Sequence, residues 1–204
     1  HLSSRRQRQM CIRDRPKFVY HLDSNFRHYL SNVYKNEISD YSTVLDLMSS
    51  WDSYLPEEKK YKKVIGHGLN KQELEKNKIF DTYWIQNFNV DQKIPLDNES
   101  VDYCLMVAAW QYLQYPENLT REIVRILSSK GKFIIAFSNR AFWHKAPNIW
   151  TTSTEEERVK YVRKVLITNG FNEPNIIKKF NQPARNIFNF INKDPFYCLI
   201  STKE

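Results

Sequence analysis

From Thr43 onward, short apolar runs alternate with amphipathic stretches. TVLDLMS (43–49), KKVIGHG (62–68), TYWIQNFN (82–89), VDYCLMVAAW (101–110) and GKFIIAFSN (131–139) have strand length and composition. NKQELEKN (70–77) and the stretch 118–127 read as helices between them. Strand and helix in repeated order predict a parallel sheet covered on both faces. Upstream, Phe26, Leu30, Val33 and Tyr34 recur at helical spacing behind Asp23 and Ser24, either of which suits an N-cap, so 16–38 predicts a leading helix packed on the sheet. After Asn139 the pattern changes to a long polar and aromatic segment and a helix over 154–168 that Asn169-Gly170 stops. Two late β-like runs follow, NIIKKF (175–180) and PFYCLIST (195–202), and an antiparallel pair closing the sheet edge fits them.

The 204 residues suffice for one α/β domain and are few for two. No apolar run approaches the roughly 20 residues of a membrane helix, so no membrane partner is expected. Cys11, Cys104 and Cys198 have no paired CxxC spacing, which offers no metal site and suits a reducing, cytoplasmic setting. The formal charge of +8 points at first to a polyanionic partner, but its distribution removes that reading. Arg5 to Arg15 read RRQRQMCIRDR, which matches a translated transposon-type sequencing adapter. Setting aside the five Arg and one Asp of residues 1–15 from 31 basic and 23 acidic residues leaves 26 and 22, a net charge of +4, and no nucleic-acid partner is expected. The expected organisation is an adapter-derived segment at 1–15 and one domain over 16–204 that is truncated at its N-terminus.

In a doubly wound sheet, ligands bind beyond the carboxyl ends of the strands where the strand order reverses, so the residues that follow each strand are the candidates. The first strand runs into VLDLMSSWDSYLP (44–56), the second ends in GHGLN (66–70), the third in QNFNVDQKIPLDNESVDYCLM (86–106), and the fifth in FSNRAFWHKAPNIW (137–150). DLMSSW, GHGLN, QNFN and FSNR in this order resemble the class I S-adenosylmethionine-dependent methyltransferases of the type 11 kind, in a subset whose first motif reads DLMSSW. Ile94-Pro95 and Val101-Asp102 take the places of the Leu-Pro and Phe-Asp pairs around the third and fourth strands, and Ser129-Lys130-Gly131 those of Pro-Gly-Gly before the fifth. The resemblance implies a single Rossmann-like seven-stranded sheet, mostly parallel with an antiparallel last strand, with helices on both faces. It implies S-adenosyl-L-methionine as cofactor and a small-molecule methyl acceptor as partner.

Residue by residue, the resemblance places the cofactor against Asp46, the turn Met48, Ser49 and Ser50, then Gly68, Asn70, Asn87, Asn89 and Gln111. Asp46 reads equally as a strand-end carboxylate that caps the next turn. Met48 and Ser50 stand where the common form of the motif has glycine, and a non-glycine residue forced to positive φ costs about 1–3 kcal/mol. Gly68 stands where the family keeps a carboxylate for the ribose hydroxyls, with His67 and Asn70 as substitutes at hand; the bland reading of His67 is a solvent-facing histidine. Asn87 or Asn89 supplies a side-chain carbonyl for the adenine amino group, or satisfies loop backbone. Trp110, Gln111 and Tyr112 fall where the methyl group meets the acceptor, although Trp110 and Leu113 also suit a core. Asn139 and Arg140 are expected at the acceptor, with Lys145 nearby, and Tyr112 and His144 as catalytic groups, His144 being the candidate general base. A surface loop rich in aromatics fits the same segment, and Trp143 and Trp150 serve as packing anchor or as apolar wall. Two functions follow: methyl transfer to a small molecule, or a catalytically impaired methyltransferase fold that binds or regulates. A nicotinamide-dependent oxidoreductase is disfavoured, since no GxGxxG follows any expected strand.

Overall fold

The computed structural model describes residues 16–180 and 194–204, so the adapter-like segment lies outside the described residues. Strands β1 (Thr43–Leu47), β2 (Lys63–Gly68), β3 (Thr82–Ile85), β4 (Val101–Val107), β5 (Leu127–Phe137), β6 (Asn175–Lys179) and β7 (Phe196–Thr202) form one seven-stranded sheet in the order β3-β2-β1-β4-β5-β7-β6. β1 to β5 pair in parallel, while β7 is antiparallel to both β5 and β6. Helices α1 (Ser24–Glu37), α2 (Lys71–Lys76), α3 (Pro116–Ile126), α4 (Asn148–Thr151) and α5 (Glu155–Thr168) accompany the sheet, with a 3-10 turn at Trp110–Tyr112. The expected seven-stranded α/β sheet is therefore what forms.

Every residue of β1 is buried, as a central parallel strand requires. Because side chains alternate across a strand, Leu45 and Leu47 join one core with Cys104, Met106, Phe133 and Ile135, while Val44 joins the other with Leu105, Ile134 and Ala136. Helices α3 and α5 cover the first face through Leu119, Ile123, Val162 and Leu166. Helix α1 covers the second: the Asp23 side chain accepts from the Phe26 N–H at 2.7 Å, and Phe26, Leu30, Val33 and Tyr34 are buried. Full burial of such an aliphatic or Phe side chain contributes about 1.5–3 kcal/mol, so Phe26→Ala is enough to loosen α1 from the sheet. Thr154 and Glu157 form a capping box that starts α5. Gly170, at φ +96°, turns the chain out of the helix as the sequence predicts.

β3 and β4 end earlier than their apolar runs, at Ile85 and Val107, and two boundaries between α3 and β5 also differ from the sequence reading. α3 starts at Pro116 instead of 118, because proline fits the first helical position, where its missing N–H is no loss. β5 starts at Leu127, directly after α3, and takes up the extra length through a register shift against β4, with Lys130 in the left-handed region at φ +63°. Among the described residues no helix is long and apolar enough to cross a membrane.

Candidate active site

The strand order reverses between β1 and β4, so the carboxyl ends of these two strands open the crevice in which doubly wound sheets bind ligands. The chain leaves β1 through Met48, which has φ +56°. The left-handed turn is thus kept although its residue is not glycine. Three hydrogen bonds hold it. The Met48 N–H donates to Nδ1 of His67 at 3.0 Å, the Ser49 N–H donates to the His67 carbonyl at 2.7 Å, and the Ser49 hydroxyl donates to Oδ2 of Asp46 at 2.5 Å.

Asp46 is buried on the α1 side of the sheet. Burial is the largest influence on its carboxyl and pushes it up to about 7, against the opposing hydrogen bonds of Ser49 and Ser53. The carboxyl therefore serves as the hub of the turn and carries only part of a charge near neutral pH. Around it the polar network continues. Ser50 Oγ donates to Oε2 of Glu73 at 2.6 Å, and Nδ2 of Asn77 donates to the Ser50 carbonyl at 3.1 Å and to Ser53 Oγ at 2.9 Å. Asn70 caps α2, its Oδ1 accepting from the Glu73 N–H at 3.1 Å. Sequence reasoning missed Glu73, Ser53 and Asn77. Asn70 followed three residues later by Glu73 is a helix-start signature that points to the first of them.

Gly68 has a steric reason. A Cβ at that position would lie 2.7 Å from the Ser49 carbonyl oxygen, so the turn after β1 rests directly on the end of β2. No side chain, acidic or otherwise, fits there without moving backbone. His67, read from the sequence as a ribose cap or a solvent-facing residue, is neither. Its ring is buried between Trp84 and Phe88, with centroids 4.8 and 4.1 Å away, and Nε2 meets the Gln86 carbonyl at 2.9 Å while Nδ1 meets the Met48 amide. Nδ1 must then be the acceptor and Nε2–H the donor. Burial lowers the imidazole to about 4, so this neutral form is the one present near neutral pH.

On the β3 side, Asn89 is committed to protein. Its Nδ2 donates to the Tyr112 carbonyl at 2.9 Å and its Oδ1 accepts from the Gln114 N–H at 2.8 Å, clamping the loop after β3 to the segment after β4. Of the two asparagines, Asn87 is the exposed one; its Oδ1 accepts from the Asn89 N–H at 3.0 Å. Beyond β4, Trp110 is core, as the bland reading had it, whereas Gln111 is only 2% exposed and polar. Gln111 Nε2 reaches the Arg140 carbonyl at 3.4 Å, and Oε1 has no hydrogen-bond partner among the described residues.

At the exit of β5, Arg140 pairs with the buried Asp194, which also accepts from the Asp23 N–H at 2.9 Å and donates its own N–H to Asp23 at 2.7 Å. Arg140 therefore ties the head of α1 to the start of β7. Asn139, Phe142, Trp143 and His144 are exposed. The two tryptophans part company: Trp150 is 2% exposed and packs on Phe137, while Trp143 is 52% exposed with the Arg158 guanidinium 5.3 Å from its ring. Phe142 connects the predicted catalytic pair. Its N–H donates to Tyr112 Oη at 3.1 Å, and its ring lies 6.4 Å from those of both Tyr112 and His144. Residues 16–22 cross from one half of this region to the other. The Lys17 N–H donates to Glu73 Oε1 at 2.9 Å, Tyr20 packs on Trp51 at 4.7 Å, and Arg140 reaches the His21 carbonyl at 3.4 Å. A separate cavity of about 300 Å³ lies at the amino-terminal ends of β1, β4 and β5, opposite the crevice, lined by Asp40, Asp102, Ser128 and Lys130. There Asp102 is already held by the Thr43 N–H and the Ser128 hydroxyl.

Comparison with known proteins agrees with this geometry. A family model described as a methyltransferase domain matches residues 53–135. Its match begins just past the turn in which Met48 and Ser50 replace glycine. No curated protein matches the sequence. Among solved structures, a chain of the complex between the Haloferax volcanii Trm112 methyltransferase activator and a candidate methyltransferase superposes with TM-score 0.64 at 17% identity, covering 88% of this chain and 90% of that one. A SAM-dependent methyltransferase from Aquifex aeolicus gives 0.60 at 16%, covering 87% and 89%. Geranyl diphosphate C-methyltransferase from Streptomyces coelicolor, solved with Mg²⁺, geranyl diphosphate and S-adenosyl-L-homocysteine, gives 0.59 at 11%, covering 87% and 77%. The fold is that of the S-adenosylmethionine-dependent methyltransferases. Within that class, the methyltransferase-domain model matches residues 53–135 of the chain, and S-adenosylmethionine is the cofactor of the class.

Proposed function

We propose that this protein transfers a methyl group from S-adenosyl-L-methionine to a small-molecule acceptor bound beside the ends of β4 and β5. The observation that carries this reading is the unpartnered, buried Oε1 of Gln111 at the strand-order reversal. A buried acceptor left unpaired costs about 1–3 kcal/mol, and a donor from a ligand in the crevice removes that cost. The residues present fit the cofactor. Asp46, the backbone of Met48, Ser49 and Ser50, the bare face of Gly68, and Asn70, Asn87 and Gln111 would hold it, with Asn89 fixing the loop that carries Asn87.

The cofactor supplies an electrophilic methyl group on a sulfonium. In such a displacement the protein's contribution is alignment, which is worth up to about 7–11 kcal/mol when the nucleophile is held in line. The bonded network around the turn provides the rigid side of that alignment. Tyr112, Asn139 and Arg140 border the acceptor side, and His144 takes the proton of an N–H or O–H nucleophile.

Titration calorimetry of S-adenosyl-L-homocysteine into the full chain tests the reading: saturable binding is expected, and no heat at millimolar ligand overturns it. Transfer of labelled methyl from the cofactor into a metabolite extract then separates the enzyme from the second reading, a methyltransferase-fold binding module. That alternative is motivated by Met48, Ser50 and Gly68 standing where the family has glycine and a carboxylate. Turnover excludes it; binding without turnover favours it.

A further inference from the structure

At the turn after β1, the left-handed residue carries a full side chain, so some contact outside the turn must hold Met48 at φ +56°. Among the described residues the group positioned to do this is His67. Its ring nitrogens reach the Met48 amide at 3.0 Å on one side and the Gln86 carbonyl at 2.9 Å on the other, so one side chain joins the ends of β1, β2 and β3. Its carbonyl receives the Ser49 N–H at 2.7 Å, extending the same attachment by one residue. Trp84 and Phe88 close on the ring and fix its plane, and the Gln86 carbonyl fixes which nitrogen accepts. Beside it, Gly68 lets the Ser49 carbonyl come down onto β2.

We propose that His67 is a positioning residue for the cofactor site: by accepting the Met48 N–H it imposes the left-handed turn that glycine adopts unaided, and cofactor binding depends on that turn. The proposal rests on the methyltransferase reading for its consequence, but its geometry concerns the turn alone. Two readouts therefore separate it from that reading.

The first is S-adenosyl-L-homocysteine affinity of the wild type, His67→Phe, Met48→Gly and the double variant. His67→Phe keeps an aromatic ring between Trp84 and Phe88 and removes both nitrogens. Affinity should fall about ten- to a hundredfold, the size of the strain that the turn must then bear unaided. Adding Met48→Gly should restore most of the loss, because glycine needs no latch. A residue that merely packs would not be rescued this way, so failure of the double variant to recover overturns the proposal, as does wild-type affinity in His67→Phe. If His67→Phe does not fold, His67→Asn and His67→Gln decide. Asn places an acceptor near Nδ1 and should bind ligand better than Gln, whose amide sits near Nε2; equal affinities overturn the proposal.

The second readout needs neither variant nor ligand. In the wild-type protein, amide hydrogen exchange at Met48 should be as slow as in β1. Exchange at the rate of an open loop overturns the latch, whatever the cofactor result. Slow exchange in a protein that does not bind S-adenosyl-L-homocysteine keeps the latch and removes the methyltransferase reading.

Discussion

The two halves of the crevice are built on opposite terms. On the β1–β2–β3 side the polar side chains around the turn are bonded to protein: Ser49 to Asp46, Ser50 to Glu73, Asn70 to the head of α2, and His67 to both Met48 and Gln86. On the β4–β5 side Gln111 keeps a buried acceptor that has no partner among the described residues, and Phe142, Trp143 and His144 stand exposed. A fully bonded network in a low-dielectric setting is stiff, while an incomplete one awaits a ligand. On the proposed function, the bonded half together with Gln111 holds the cofactor, and the exposed segment after β5 meets the acceptor.

Substituting Gly68 by Asp, which restores the expected carboxylate in sequence, breaks the saturated half hardest. The new Cβ meets the Ser49 carbonyl, which cannot rotate away. A loss of about 3 kcal/mol is expected in denaturant unfolding, together with loss of S-adenosyl-L-homocysteine binding. Tighter binding would instead mean that the turn is free to move.

The pH dependence of stability comes next, because two buried groups in this half oppose each other. His67 has a lowered pKa, near 4, so its contribution is complete above its unfolded value of about 6.5 and is lost as pH falls through 4. Asp46 has a raised pKa, near 7, so its contribution is complete below its unfolded value of 3.8 and is lost as pH rises through 7. Between pH 4 and 6.5 the two slopes largely cancel in the wild type. Asp46→Asn removes one of them. Its stability should then fall by about 2–3 kcal/mol more than that of the wild type as pH drops across that window, measured by urea unfolding at a series of pH values. Parallel curves would contradict the opposed pair.

Asn89→Ala cuts the clamp between the halves and leaves the Tyr112 carbonyl and the Gln114 N–H without this partner. About 1–2 kcal/mol of stability should be lost, with faster amide exchange at Gln114. Gln111→Leu sharpens the contrast with the smallest stability effect. Removing an unsatisfied buried carbonyl should leave the melting temperature unchanged or raise stability by about 1 kcal/mol, while ligand affinity falls about tenfold. A drop in both would place Gln111 in the saturated network instead.

Much of the scaffold is legible in the chain. The run TVLDLMS, the spacing of Phe26, Leu30, Val33 and Tyr34, and the stop at Asn169-Gly170 each specify their element, because strand and helix periodicities and terminal signals are local. The left-handed conformation required after Asp46 could also be anticipated from the glycine pattern of the resembling family. What holds it could not. His67 lies 19 residues from Met48 and Asn89 lies 23 from Tyr112, and such pairs meet only after the strands are laid side by side. For the same reason Asn87 and Asn89 look alike in sequence although only one is a clamp, and Trp143 and Trp150 look alike although only one is core.

By itself, then, the sequence determined which segments pair into a doubly wound sheet and where along the chain its ligand-facing turns fall, since these follow from hydrophobic periodicity and short-range backbone preference. Tertiary structure alone decided that Gly68 is a seat for the Ser49 carbonyl, that His67 faces inward to the turn, that Arg140 is spent on Asp194, and that Gln111 Oε1 is buried at the strand-order reversal with no partner among the described residues. Each of those outcomes depends on distances between strands that are neighbours in space and remote in sequence, and no local pattern encodes such a distance.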